Sequence, residues 1–158
     1  MYKILKNALS LDECEFIFSE FEKLEKKKDW LVKDSDIVHK WEISDIYAEK
    51  LKTEVENFYS TKVKTILGYT RKSLKGQKLH KHKDVCELVI SVLIKQSDAT
   101  ISPLYLWIGG EKIEIILEQG DGVIFEGSKI FHERGTITSD WLVGMLFGYE
   151  RVRESKLM

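Results

Sequence analysis

Gly76-Gln77-Lys78-Leu79-His80-Lys81-His82-Lys83-Asp84 places two histidines and a carboxylate at alternate positions of a short polar segment. In an extended chain, alternate side chains share a face, so His80, His82 and Asp84 point the same way. Further along, Gly120-Asp121-Gly122-Val123-Ile124-Phe125-Glu126-Gly127 runs from a turn into a short apolar strand. It leads to Ile130-Phe131-His132-Glu133-Arg134-Gly135, where a third histidine sits in a second strand-like run.

Working outward, the chain around these stretches alternates short β-branched and aromatic runs with Gly, Asp and Lys. Strands are predicted at Val63–Leu67, Tyr69–Leu74, Cys86–Ile94, Leu104–Ile108, Lys112–Leu117, Gly122–Phe125, Lys129–Arg134 and Trp141–Tyr149. Gly109-Gly110 is a hairpin signal, because both residues tolerate the positive φ that tight turns need. Residues 1–60 read as helical. Ser10-Leu11-Asp12-Glu13 is a capping box, and Leu11, Cys14, Ile17, Phe18, Phe21 and Leu24 follow at helical spacing. Lys26-Lys27-Lys28-Asp29 reads as a solvated helix end, and Trp30–Trp41 as extended chain. A second helix is predicted over Ser44–Tyr59 with Ile46, Leu51, Val55 and Phe58 as its apolar stripe. The tail from Arg151 to Lys156 is expected to fray. Strands after helices give an all-β core with N-terminal helices, in α+β order, of sandwich or jelly-roll type.

The chain has 158 residues, the size of one domain: 1–60 as helical support and 61–150 as the β core. Net charge is −1, with 25 Lys+Arg against 26 Asp+Glu. That balance argues against general nucleic-acid binding, which needs a basic excess. It leaves room for a local patch, and Arg71, Lys72, Lys75, Lys78, Lys81 and Lys83 form one. This patch is either a solvated edge that discourages strand pairing or an attraction for an acidic partner or nucleic acid at the site mouth. No apolar run is long enough to span a membrane. Cys14 and Cys86 are far apart without metal spacing, which fits a reducing, cytoplasmic setting.

Two histidines and one carboxylate can occupy one face of an octahedral ion and leave other positions for a cosubstrate and dioxygen, the arrangement of non-haem Fe(II) oxygenases. The donor set alone does not select iron, since Zn, Co, Ni and Mn accept the same ligands.

The patterns G-x-x-L-x-x-H-x-D and G-D-x-(apolar)-(apolar)-F-x-G, the latter leading into H-x-R, together resemble the 2-oxoglutarate/Fe(II)-dependent dioxygenase superfamily in its prolyl-hydroxylase-like branch. The resemblance runs from about Arg71 to Tyr149 and includes the Ser10–Glu13 helix start. Cys86-Glu87, Pro103-Leu104-Tyr105 and His132–Arg134 look like those of small phage- or virus-encoded members. The resemblance implies a double-stranded β-helix, a cupin-like jelly roll, with His82, Asp84 and His132 binding Fe(II) and serving as the catalytic set. The spacing from Leu79 selects His82 over His80, which becomes a rim residue. It implies 2-oxoglutarate as cosubstrate, O2 as oxidant and ascorbate as an optional reductant. The reaction couples decarboxylation of the oxo acid to hydroxylation of a substrate C–H. Halogenating relatives lack the carboxylate, so Asp84 favours hydroxylation. The expected substrate is a protein or peptide side chain, proline first. The alternatives are a nucleic-acid demethylase, a small-molecule hydroxylase, or a non-catalytic cupin-like metal-binding protein.

Two departures stand out. Many members carry Arg or Lys about ten residues after the second histidine, to pair with the far carboxylate of 2-oxoglutarate. Here Asp140-Trp141-Leu142-Val143-Gly144 holds no cation. Arg134, two residues after His132, is the substitute, with Arg71 and Lys95 in reserve. Its plain alternative is a surface salt bridge to Glu133 or Glu150. Related sequences also have Tyr where Ser73 stands. Arg134, Ser73 and Tyr105 are therefore the candidate cosubstrate contacts, although Tyr105 and Trp107 also suit a core or pocket wall. His39 reads as structural or exposed, Cys86 as a core filler and Asp121 as a turn residue.

Overall fold

The computed structural model describes residues 1–28, 35–39 and 41–153. In chain order the elements are β1 (Tyr2–Leu5), α1 (Leu11–Lys23), β2 (Lys27–Lys28), β3 (Asp36–His39), α2 (Glu42–Tyr59), β4 (Val63–Leu74), β5 (Leu79–His82), β6 (Leu88–Gln96), β7 (Leu104–Ile108), β8 (Glu111–Ile115), β9 (Gly122–Phe125), β10 (Phe131–Arg134) and β11 (Trp141–Arg151). The strands form a seven-stranded sheet, β1-β9-β6-β11-β4-β3-β2, and a four-stranded sheet, β5-β10-β7-β8. All pairings are antiparallel. Two antiparallel sheets face to face, with helices behind the larger one, make the jelly roll expected from the sequence.

α1 starts where the capping box predicts. The Glu13 N–H donates to Ser10 Oγ at 3.1 Å, and the Ser10 N–H donates to Glu13 Oε1 at 2.9 Å. Cys14, Ile17 and Phe21 are fully buried. Each large apolar side chain buried this way contributes about 1.5–3 kcal/mol. Leu11, expected on that stripe, is exposed. α2 starts two residues earlier than predicted, and its buried face is Ser44, Ala48, Leu51 and Val55 rather than one containing Ile46, which is exposed. The spacing of four, three and four follows the helical period. Ser44 sits inside because it caps: the Trp41 N–H donates to its Oγ at 3.0 Å. Both helices pack on the large sheet, α1 on β6 and α2 on β4 and β11.

The large sheet thus separates two cores. Ile90, Val92, Ile94, Val143, Met145, Phe147 and Tyr149 face the helices. Val89, Leu93, Val123, Phe125 and Leu142 face the small sheet, where Leu104, Leu106 and Ile115 meet them. The Tyr149 hydroxyl, inside the helix-side core, donates to the Ala48 carbonyl at 2.6 Å.

Several expectations change. Val63–Leu67 and Tyr69–Leu74 are one continuous strand, because Gly68 lies over Ser44 and Phe147 and lets β4 run unbroken beneath the helices. Lys27–Lys28 is not a solvated helix end but the edge strand β2, paired to β3. β3 occupies part of the extended Trp30–Trp41 stretch; residues 29–34 and 40 lie outside the described residues. The tail does not fray from Arg151: Arg151 and Arg153 bridge to Glu87 at 3.0 and 2.9 Å. Residues 154–156 lie outside the described residues. Gly109 and Gly110, at φ 59° and 82°, close the β7–β8 hairpin as predicted. Asp121 is more than a turn residue. Its buried carboxylate accepts the Asn7 and Glu118 N–H groups at 3.0 and 3.1 Å and pairs with Lys6 at 2.9 Å, tying the first strand to β9.

Candidate metal centre

β5 and β10 are neighbours in the small sheet, with His82 opposite His132. The next pairing is Leu79 opposite Arg134, so β5 carries an extra residue and bulges. The bulge breaks simple alternation. Leu79 and His82, three residues apart, both face the space between the sheets, and His80 is turned out and exposed. This corrects the expectation that His80, His82 and Asp84 share one face. Asp84 follows β5 and is fixed by its N–H, which donates to the Gly127 carbonyl at 2.8 Å. Gly127 is required there: a Cβ would lie 2.9 Å from Val89 Cγ1, 3.0 Å from the Cys86 oxygen and 3.1 Å from Asp84 Cβ. The glycine ending the second diagnostic stretch therefore seats the carboxylate of the first.

Each imidazole is oriented from behind. His82 Nδ1 lies 2.6 Å from the His80 carbonyl, and His132 Nδ1 lies 2.9 Å from the Ile130 carbonyl. A carbonyl only accepts, so both Nδ1 atoms carry the proton and both Nε2 atoms present lone pairs. His82 Nε2 is 3.3 Å from Asp84 Oδ1, and His132 Nε2 is 3.1 Å from Asp84 Oδ2. Phe125 meets the His132 ring edge-on at 4.7 Å between centroids and walls it from behind.

Burial opposes the Asp84 charge, but the His132 and His82 imidazoles outweigh it and hold the carboxyl at about 2. Burial also opposes an imidazolium at His82, yet Asp84 and the His80 carbonyl outweigh it and raise its pKa. The carboxylate is therefore ionised at neutral pH, as a metal ligand must be.

The donor atoms of His82, Asp84 and His132 lie within 4.8 Å of one another. His132 Nε2 and Asp84 Oδ2 are buried without a hydrogen-bond partner, although only 3.1 Å apart. They are close but not aligned with each other. Unpaired buried polar atoms are costly, and a cation held by both would satisfy them. The residues fit a divalent metal.

The pocket beside this group lies between the sheets. Tyr69, Arg71 and Ser73 enter from β4, Leu142 from β11 and Arg134 from β10. Arg134 donates to the Ser102 carbonyl at 2.9 Å, and burial pushes its pKa down to about 10, still charged at neutral pH. Among the described residues no carboxylate reaches Arg134, so the surface-bridge alternative fails; Glu133 faces Lys112 at 3.7 Å instead. Leu142 and Gly144 occupy the part of β11 where the resemblance expects a cation.

Of the other candidates, Ser73 is a buried wall residue and Arg71 a half-buried one, its guanidinium 4.9 Å from the Tyr69 ring. Tyr105 is not in the pocket. Its strand points Leu104 and Leu106 inward, and its own ring faces out under Lys112 at 4.1 Å. Lys95 is also elsewhere, paired to Glu15 of α1 at 2.6 Å. The sequence reading missed Tyr69. Alternation back from Ser73 through Arg71 would have found it, because all three share one face of β4.

No protein-family model matches the chain, and no curated protein matches it in sequence. Solved structures do match. An oxidoreductase of the 2OG-Fe(II) oxygenase family from Burkholderia pseudomallei superposes with TM-score 0.80 at 11% identity, covering 99% of this chain and 88% of that one. HygX from Streptomyces hygroscopicus, with nickel and 2-oxoglutarate bound, gives 0.76 at 14%, covering 94% and 82%. The viral collagen prolyl hydroxylase of Paramecium Bursaria Chlorella virus-1, as its 2OG complex, gives 0.71 at 15%, covering 94% of each. The chain has the fold of the 2-oxoglutarate/Fe(II) oxygenases. Among the described residues, this oxygenase fold carries one group of His, Cys, Asp and Glu side chains close enough to share an ion: His82, Asp84 and His132. No helix is long and apolar enough to cross a membrane.

Proposed function

We propose that the protein is a 2-oxoglutarate- and Fe(II)-dependent oxygenase that hydroxylates a substrate C–H, with His82, Asp84 and His132 as its metal ligands. The observation that carries this reading is that His132 Nε2 and Asp84 Oδ2 are buried without a hydrogen-bond partner, in a group with His82 whose donor atoms lie within 4.8 Å of one another. Bound Fe(II) would supply the redox chemistry that couples dioxygen to decarboxylation of the oxo acid.

The chain's own residues supply positioning. The backbone carbonyls of His80 and Ile130 hold the two imidazoles in the Nδ1–H form and so direct their basic nitrogens. Arg134 is an unneutralised guanidinium on the pocket wall, suited to fork onto the far carboxylate of 2-oxoglutarate. Ser73 and Tyr69 add hydroxyls from the facing strand. Gly144, lacking a side chain, leaves room on β11 opposite. Leu104, Ile137 and Leu142 add apolar wall, which limits water and strengthens the charge pairing. A protein or peptide side chain such as proline is the proposed substrate, on the similarity in fold to prolyl hydroxylases.

The test is anaerobic addition of Fe(II), then 2-oxoglutarate, to the metal-free protein. A visible charge-transfer band that needs both additions and is absent in His132→Ala supports the reading. Metal binding without the band points to a metal-binding jelly roll without this chemistry.

A further inference from the structure

The two strands that bring His82 and His132 inward present a different chemistry outward. On the outer face of the small sheet, Phe131 of β10 lies directly across from Trp107 of β7, which lies across from Lys112 of β8. Tyr105 stands two residues from Trp107 on the same face. Lys81 reaches over Trp107 at 4.3 Å and Phe131 at 5.2 Å, and Lys83 reaches over Phe131 at 4.4 Å. Lys112 covers Tyr105 at 4.1 Å and Trp107 at 5.5 Å. The contacts are continuous, so three rings and three ammonium groups form one patch.

Phe131 is 43% exposed, and Tyr105 and Trp107 are only half-buried. The helices do not explain the rings, because both pack on the other sheet. Among the described residues, Lys81 and Lys83 have no carboxylate partner, unlike Lys112, which faces Glu133. The ring faces are therefore covered mainly by flexible lysine stems that can swing aside.

We propose that this face docks a single-stranded RNA segment, independently of the chemistry assigned to the metal centre. In the strand order β5-β10-β7-β8, the rings stand on the two central strands of a four-stranded antiparallel sheet. Sheet-surface binders of single-stranded RNA stack two or three bases on rings placed this way. Each base offers a π-face to an aromatic ring, and the lysines that leave the rings meet phosphates. Glu114 and Glu133 lie across from Tyr105 on either side. Carboxylates there would repel a phosphate track but can accept from a ribose 2′-hydroxyl, which selects RNA over DNA. An acidic peptide would satisfy the lysines and leave the stacked rings without a purpose.

The experiment is fluorescence anisotropy of the full chain with a labelled oligo(U) of about twelve nucleotides, at low and then rising salt. Binding at low salt is expected. Trp107→Ala and Phe131→Ala should each weaken it about tenfold, and Trp107→Tyr, which keeps a ring, should largely restore it. Lys81→Glu with Lys83→Glu should weaken binding and flatten the salt dependence. These lysines are exposed, so that variant keeps the test sound if a ring variant folds poorly. No binding at low salt overturns the proposal. So does binding that ignores both ring variants, or an oligoglutamate that competes as well as unlabelled oligo(U). Equal affinity for oligo(dT) overturns the choice of RNA.

Discussion

The N–H of Asp84 donates to the carbonyl of Gly127 at 2.8 Å, and the space a Gly127 Cβ would need is already taken by Asp84 Cβ, the Cys86 oxygen and Val89 Cγ1. Gly127→Ala must therefore displace backbone or carboxylate. Residues supporting a metal ligand from behind are worth about 10–100-fold in affinity. Gly127→Ala is expected to weaken Co(II) or Fe(II) binding by at least about tenfold, read by calorimetry, with the secondary structure retained. Unchanged affinity would remove Gly127 from the support of the site.

The bulge in β5 predicts opposite fates for two histidines two residues apart. His82→Ala should abolish metal binding, and His80→Ala should leave it unchanged, because only the His80 carbonyl contributes. Metal loss in His80→Ala would place the wrong imidazole at the ion.

Arg134, with no carboxylate partner among the described residues, should act on turnover through the cosubstrate, apart from its bond to the Ser102 carbonyl. Truncating one member of a buried charge pair costs about 2–5 kcal/mol, so Arg134→Ala should raise the 2-oxoglutarate KM by about thirtyfold or more, with metal affinity intact. Leu142 lines the same pocket at 4% exposure. Adding Leu142→Arg to Arg134→Ala should recover part of the loss by returning a cation from β11. An unaltered KM in Arg134→Ala would shift the role to Arg71.

Asp121 carries a pH signature away from the metal. Burial raises its pKa, but the Asn7 N–H, Lys6 and the Glu118 N–H outweigh it and hold the carboxyl below its ordinary value. A carboxylate depressed in the folded state stabilises fully above its unfolded pKa of about 3.9 and loses that contribution as pH falls through the lowered value. Asp121→Asn should cost about 1–3 kcal/mol at neutral pH, and the gap to the unaltered protein should close as pH drops below about 4. Urea midpoints across a pH series measure it. A gap that does not change with pH would mean the carboxylate's charge is not what holds β1 to β9.

Much of the jelly roll was legible because its strands are short apolar runs bounded by turn residues. α1 was legible from its capping box. The short strands β1, β2 and β3 were not. β1 and β3 carry little apolar alternation, and β2 is two lysines held by pairing alone. Ile46 was misplaced because periodicity alone does not fix which face of a helix meets the sheet, and Ser44 took the inner position by capping Trp41. His82, Asp84 and His132 were singled out by the resemblance of their flanking motifs, and the structure brings their donor atoms together. The bulge in β5 was invisible, since an extra residue in a strand has no composition of its own. Tyr105 was misassigned for a related reason: which face of β7 looks inward depends on register with β10 and β8.

β5 is a four-residue strand at the end of its sheet, bonded to β10 alone, whereas β10 is held on both sides. His82 thus stands on an edge strand, while His132 stays anchored in the interior of the sheet. An ion held as proposed would then exchange by brief fraying of one segment, at a rate set by the lifetime of a few backbone bonds rather than by global unfolding.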